Sequence, residues 1–176
     1  DDNDLVMLSD EDEIPNPEII KNFNHEKFKF GIFLQNMYYY KINLLSVDEG
    51  DGDWPGSRIC KKKFLKSFFK FRLLKLKNLN YSFWRIDKEK SIQKINNGGW
   101  HFTYLMSPQE IIEKIKSMAH TEFNKEKFKE ISFIKNKIEM LEDPFERNLK
   151  LKKVDIDNTY PEYIRKNIHK FKEWIL

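Results

Sequence analysis

Cysteine is nearly missing from this 176-residue chain, where Cys60 stands alone. That excludes an intrachain disulfide framework and a cysteine-rich zinc site, and it leaves the compartment open, because a secreted domain can lack disulfides. Long apolar runs are missing as well. None approaches the ~18 residues of a membrane span, and no signal peptide is visible. No internal repeat and no low-complexity linker divides the chain. There is no initiator Met, and an apolar run begins four residues in. The expectation is a fragment whose preceding part held more of the sheet. Charge of one sign is missing in two places. No Lys or Arg occurs before Lys21, whereas eight acids do, and from Arg58 to Lys77 there are nine basic residues and no acid.

What is present excludes disorder. Hydrophobic residues make up 40% of the chain and aromatic residues 15%, whereas disordered segments are poor in both. Charged residues reach 34% and the net charge is +4. The length suits one domain with its own core. The simplest expectation is a single α/β domain over residues 1–176, with a mixed sheet and flanking helices.

The stretch from Leu5 to Pro15 organises the rest. Four apolar residues (Leu5-Val6-Met7-Leu8) are followed by Ser9 and then four acids, Asp10 to Glu13. A short apolar run predicts a buried strand, and ligands of open α/β sheets sit beyond the carboxyl ends of strands. Asp10 and Asp12 are two apart, so a strict strand points both to one face. Two carboxylates so held make a hard oxygen site for Mg²⁺ or Mn²⁺ with positions open to phosphate. A solvated acidic loop is the competing reading.

Further along, Asn16-Pro17-Glu18 starts a short helix with Ile19, Ile20 and Phe23 on its apolar side. Phe28 to Gln35 alternates like a strand, and Met37 to Leu45 is also β-rich. Asp48 to Gly56 reads as a loop whose acids, with Trp54, suit a sugar, or as a surface turn with Trp54 tucked back. The basic run from Arg58 to Lys77 admits three readings: a basic helix of the domain, a membrane-surface helix, or a nucleic-acid patch. Leu65, Phe68, Phe69 and Leu73 form its expected buried stripe. Tyr81 to Asp87 reads as a strand. Gly98-Gly99 permits a close backbone approach, and in the strand that follows His101 faces opposite Trp100. Ser107-Pro108-Gln109-Glu110 is a capping box opening a helix with Ile111, Ile112, Ile115, Met118 and Ala119 buried. His120 and Glu122 fall at its end. A second helix is expected near Lys125 to Leu141, a strand over Leu149 to Ile156, and a last helix after Thr159-Tyr160-Pro161-Glu162.

Taken together, Ser9-Asp10-Glu11-Asp12-Glu13-Ile14-Pro15, Gly98-Gly99-Trp100-His101-Phe102-Thr103-Tyr104, Ile115 to Glu122 and Tyr160-Pro161-Glu162-Tyr163 resemble glycosyltransferase family 17, in the same order and over nearly the whole chain. That family includes the β-1,4-mannosyl-glycoprotein 4-β-N-acetylglucosaminyltransferases. The resemblance implies the C-terminal part of a GT-A nucleotide-sugar transferase fold, truncated at the N-terminus. It implies UDP-N-acetylglucosamine as donor, a mannose-containing glycan or glycoprotein as acceptor, and inversion at the anomeric carbon. Asp10 and Asp12 match the family's Asp-x-Asp pair and would hold Mn²⁺ or Mg²⁺, with His120 or His101 as a further ligand. Glu13, Trp100 and His101 would contact the donor, and Trp54 the acceptor. Glu122, then Asp51 or Asp53, are the candidates for the carboxylate base. A Golgi or other membrane-associated location follows if the eukaryotic family pattern holds, and no nucleic-acid partner is expected. The readings from other classes are a metal-dependent phosphodiesterase or nuclease and a non-catalytic basic binding module.

Overall fold

The computed structural model describes residues 1–47, 53–117, 130–147 and 149–176. The chain is α/β, with strands bonded as a mixed sheet and helices beside it. In chain order the elements are β1 (Leu5–Leu8), β2 (Glu13–Pro15), α1 (Pro17–Ile20), β3 (Phe30–Tyr39), β4 (Leu44–Ser46), β5 (Asp53–Lys61), α2 (Phe68–Arg72), β6 (Ile92–Thr103), α3 (Pro108–Ser117), α4 (Ile131–Glu139), β7 (Leu151–Lys153) and α5 (Glu162–Lys166). Single 3₁₀ segments occupy Lys62–Phe64, Leu76–Asn80 and Ile168–Trp174. Contacts divide the chain into two compact units. One comprises Asp1–Asn36 with Asp53–His101, the other Met37–Gly52 with Phe102–Leu176.

In the first unit β3 is the central strand. β5 pairs with it antiparallel, and β1 pairs antiparallel with β5 from Leu5↔Lys61 to Leu8↔Arg58. On the other side β6 runs parallel to β3: Phe30 N–H donates to Ser91 C=O at one end, and Gly98 lies against Phe33 and Leu34 further on. β2 closes that side, antiparallel to β6. Residues Gly31 to Gln35 are all buried, so the alternation expected of a half-buried strand does not appear. The reason is cover on both faces. Phe33 packs with Phe23, Ile59 and Ile95, backed by Ile19 and Ile20 around α1. Ile32 packs with Leu74 and Ile92. Cys60 is fully buried in β5, and burial pushes its thiol up to about 11.

Several expectations change here. β1 is an edge strand and half-exposed, not a buried one; its four apolar residues have a neighbour on one side only. The loop expected over 48–56 gives way to strand by Asp53, and residues 48–52 lie outside the described residues. The basic run is not one helix. It is the end of β5, a 3₁₀ turn and the five-residue α2. Phe71 of α2 and Leu74 just after it are buried, and of the expected stripe Phe68, Phe69 and Leu73 face outward while Leu65 is half-buried. Tyr81 to Asp87 forms turns and no strand, and every residue in it is exposed.

In the second unit β4 pairs with the end of β3 at Tyr38↔Leu45, and β7 pairs with β4. α3 and α4 contact one another and bury Ile111, Ile112, Ile134 and Ile138 against Tyr39, Tyr40, Leu44 and Phe145. The capping box holds as expected: Ser107 N–H donates to Glu110 Oε2 at 2.7 Å, and Glu110 N–H donates to Ser107 Oγ at 3.3 Å. α4 is described from Ile131, which is exposed, while Ile134 and Ile138 are buried. Residues 118–129, which include Met118, Ala119, His120 and Glu122, lie outside the described residues. The strand expected over Leu149 to Ile156 is β7, three residues long. The last helix is α5 followed by the 3₁₀ segment; Ile164 is buried and Ile168 is exposed.

A buried polar cluster ties this unit together. Asp143 accepts from Tyr40 Oη at 2.6 Å and from Arg147 Nε and Nη2, each at 2.8 Å. Tyr40 adopts φ 65°, a left-handed conformation uncommon for a bulky residue, and its ring is held in place by these bonds. Burial alone would raise the Asp143 carboxyl; the Arg147 and Tyr40 hydrogen bonds and the guanidinium charge outweigh it, so the carboxyl lies below its ordinary range. A depressed carboxyl adds stability that is present above the unfolded value near pH ~4 and lost as the pH falls through the folded one. Asp143→Asn is expected to lower unfolding free energy by about 3 kcal/mol at neutral pH. It should also flatten the acid limb of the stability curve, measured by urea unfolding from neutral pH down to acid; an unchanged limb would remove Asp143 from this role.

Candidate functional site

The site builds from a turn. Residues 10–13 close a β-turn in which Glu13 N–H donates to Asp10 C=O at 3.1 Å, and the Glu13 side chain reaches back to accept from Asp10 N–H at 3.2 Å. The acids therefore follow the carboxyl end of β1, as expected, but on a turn rather than on a strand. The turn parts the aspartates. Asp10 Oδ2 meets Arg72 Nη2 at 2.8 Å, and Asp12 Oδ2 meets His101 Nε2 at 3.1 Å. Pointing both to one strand face is thus not what the fold does.

Glu13 is the buried member. It opens β2, opposite His101 in β6. Its Oε1 accepts from Trp54 Nε1 at 2.9 Å and its Oε2 from Ser57 Oγ at 3.3 Å. Ser57 Oγ in turn accepts from Gln35 Nε2 at 3.1 Å and from Ser9 Oγ at 2.8 Å. A hydroxyl has one proton to give and two lone pairs, so Ser57 is fully used by one acceptor and two donors. Ser57 reaches Glu13 because of a β-bulge. β5 pairs Pro55 with Leu34 and Arg58 with Ile32, so Gly56 and Ser57 together stand opposite Phe33 alone. Bulges re-aim side chains in this way and recur beside functional sites.

Trp54 sits on β5 opposite Gln35, with its ring edge-on to His101 at 5.0 Å between centroids. It is bound by its indole N–H rather than loose in a turn. His101 is buried, and its Nδ1 has no hydrogen-bond partner among the described residues. Trp100 is buried on the opposite face of β6, in register with Ile14. Gly98 and Gly99 let β6 approach its neighbours. A Cβ at Gly98 would stand 2.6 Å from Phe33 Cβ and 2.8 Å from Leu34 N, and Gly99 has φ 134° with Ile14 O at 2.1 Å from its Cβ position.

Two arginines complete the surroundings. Arg58 donates to Gly56 C=O at 2.7 Å; burial lowers its pKa, against the raising influence of Glu13 and Asp10. Arg72 pairs with Asp10 on the exposed side, a contact of the kind worth about 0–1 kcal/mol and readily exchanged. Carboxylates, two guanidiniums, an imidazole and an indole thus offer hydrogen-bond acceptors, cationic donors and an aromatic face in one region.

Of the residues singled out in the sequence, the fold brings together the side chains of Asp12, Glu13, Trp54 and His101, whereas the Asp10 carboxylate turns to Arg72. Trp100 stays on the far face. Asp53 begins β5, and Asp51, His120 and Glu122 lie outside the described residues. Missed were Ser9, Gln35, Ser57, Arg58 and Arg72. The two arginines lie in the acid-free basic run, and that charge segregation was the signal available for them; a bulged serine has none. Among the described residues no three His, Cys, Asp or Glu side chains gather to hold a metal ion. Asp10 and Asp12 are oxygen donors of the type that Mg²⁺ or Mn²⁺ takes, but their carboxylates are turned to Arg72 and to His101 and not to each other. No family model matches the chain, and no curated protein or solved structure does.

Glu13→Ala should leave Trp54 Nε1 and Ser57 Oγ without their acceptor and cost about 2 kcal/mol, with Glu13→Gln costing less. Urea unfolding of the two variants checks this; equal stability in Glu13→Ala and wild type would mean that the carboxylate is not the hub described.

Proposed function

We propose that the chain belongs to an inverting glycosyltransferase of GT-A type, which moves N-acetylglucosamine from UDP-N-acetylglucosamine to a mannose-containing glycan. The observation that carries this reading is the meeting of stretches far apart in sequence. Asp12 and Glu13 of the acidic motif, His101 of the Gly-Trp-His segment and Trp54 come within hydrogen-bonding or ring-contact distance of one another. The same stretches carry the resemblance to glycosyltransferase family 17, apart from the one around Trp54.

In this reading Asp10 and Asp12 are the residues that would hold Mn²⁺ or Mg²⁺, and such an ion would supply charge neutralisation to a diphosphate leaving group. Arg72 and Arg58 offer cationic partners to the same phosphates. Glu13 and His101 contact the donor, and the indole of Trp54 contacts the acceptor. Transfer with inversion is one displacement. The acceptor hydroxyl loses its proton to a carboxylate, its oxygen bonds the anomeric carbon, and UDP leaves from the opposite side. Glu122 is the first candidate for that carboxylate, followed by Asp51 and Asp53.

The test is incubation with UDP-N-acetylglucosamine, Mn²⁺ and a mannose-containing N-glycan. Mass spectrometry should show a gain of one N-acetylhexosamine with stoichiometric UDP. Asp12→Asn should lower kcat/KM on the order of 100-fold with the circular dichroism spectrum unchanged. A folded protein that neither transfers sugar nor binds UDP overturns the reading, and release of UMP in place of UDP would assign phosphodiester cleavage instead.

A further inference from the structure

We infer that the face of the first unit carrying α2 and the turns at 81–87 docks onto an anionic lipid bilayer. The first observation is apolar exposure with no core role. Phe69 is 71% exposed, Phe83 85%, Trp84 67% and Ile86 95%, and Phe68 and Leu73 are more than half exposed. The interior does not need them: Phe71 and Leu74 already fill it, beside Phe30 and Ile32. A soluble surface scatters single apolar residues, whereas a concentration such as this marks an interaction surface.

These side chains are displayed from ordered backbone. Ser67 caps α2 by accepting from Lys70 N–H, so Phe68, Phe69 and Leu73 project from a fixed turn. In the second segment Arg85 grips Asp87 through two hydrogen bonds of 2.7 and 2.8 Å and lies over the Tyr81 ring at 5.2 Å. Phe83 and Trp84 meet edge to face at 5.0 Å. Both segments border one hollow of about 350 Å³, floored by Phe30, Phe64 and Phe71 and reached by Lys66, Lys70, Leu73 and Asp87. Leu73 of the first cluster lines it, as does Asp87, the chain neighbour of Ile86 in the second.

Charge selects the occupant. Lys62, Lys66, Lys70, Lys75 and Lys77 are exposed and form no ion pair among the described residues. The nearby acids are already engaged, Asp87 by Arg85 and Lys88, and Glu89 by Lys29. The face is therefore both cationic and apolar. Anionic headgroups attract lysines over a hydrocarbon boundary that accepts aliphatic side chains, and tryptophan favours that boundary. Nucleic acid would use the lysines and the rings, but would leave Ile86 and Leu73 without a partner.

Co-sedimentation with phosphatidylcholine vesicles containing about one-third phosphatidylserine tests this. The protein should pellet with them, stay soluble with phosphatidylcholine alone, and be released by high salt but not by a few millimolar inorganic phosphate at the ionic strength of the binding buffer. The double substitution Phe69→Ser with Ile86→Ser, at two exposed positions, should weaken partitioning about tenfold with an unchanged unfolding midpoint. Failure to pellet with anionic vesicles overturns the inference. So does full binding by the double variant that is lost only in Lys66→Glu with Lys70→Glu, or competed equally by single-stranded RNA; either result would assign a polyanion face instead. The assay contains no sugar donor, so its outcome is separate from that of the transfer assay.

Discussion

A carboxylate withdrawn from water fixes the geometry of the first unit. Glu13 is buried, and both of its oxygens are claimed: by an indole and a hydroxyl from β5, and by a backbone N–H from its own turn. A buried charge without such partners would cost several kcal/mol. The turn at 10–13, the bulge at Gly56-Ser57 and the position of Trp54 are therefore not independent choices. Each supplies a donor that the carboxylate requires, and together they set where Asp10, Asp12 and His101 stand.

The same requirement separates the two aspartates. A strand would have aligned them, but the turn needed to bring Glu13 inward sends Asp10 towards Arg72 and Asp12 towards His101. Asp10 and Arg72 thus form an ion pair beside the buried Glu13. The Arg72 guanidinium and the His101 imidazole hold the two carboxylates apart.

Local signals were legible in the sequence where backbone chemistry is local. Asn16 before Pro17 and the Ser107–Glu110 box set the starts of two helices as read, because capping involves only neighbouring residues. The convergence of Glu13, Trp54 and His101 was legible only as separate motifs. What was not legible depends on cover from distant segments. The alternation of β3 promised one polar face, yet both faces are covered, so even Gln35 is buried. α2 was misread for the opposite reason. Its apolar residues surround the helix, and five residues are too few for periodicity to say which side meets the core. The bulge that aims Ser57 leaves no mark in composition at all.

Cys60 gives the first unit a built-in reporter. The lone thiol is sealed in β5 between β1 and β3, and its raised pKa leaves little thiolate at neutral pH. An alkylating reagent can reach it only when those three strands part. The labelling rate of one sulfur atom therefore follows the opening of this strand trio, without any engineered probe.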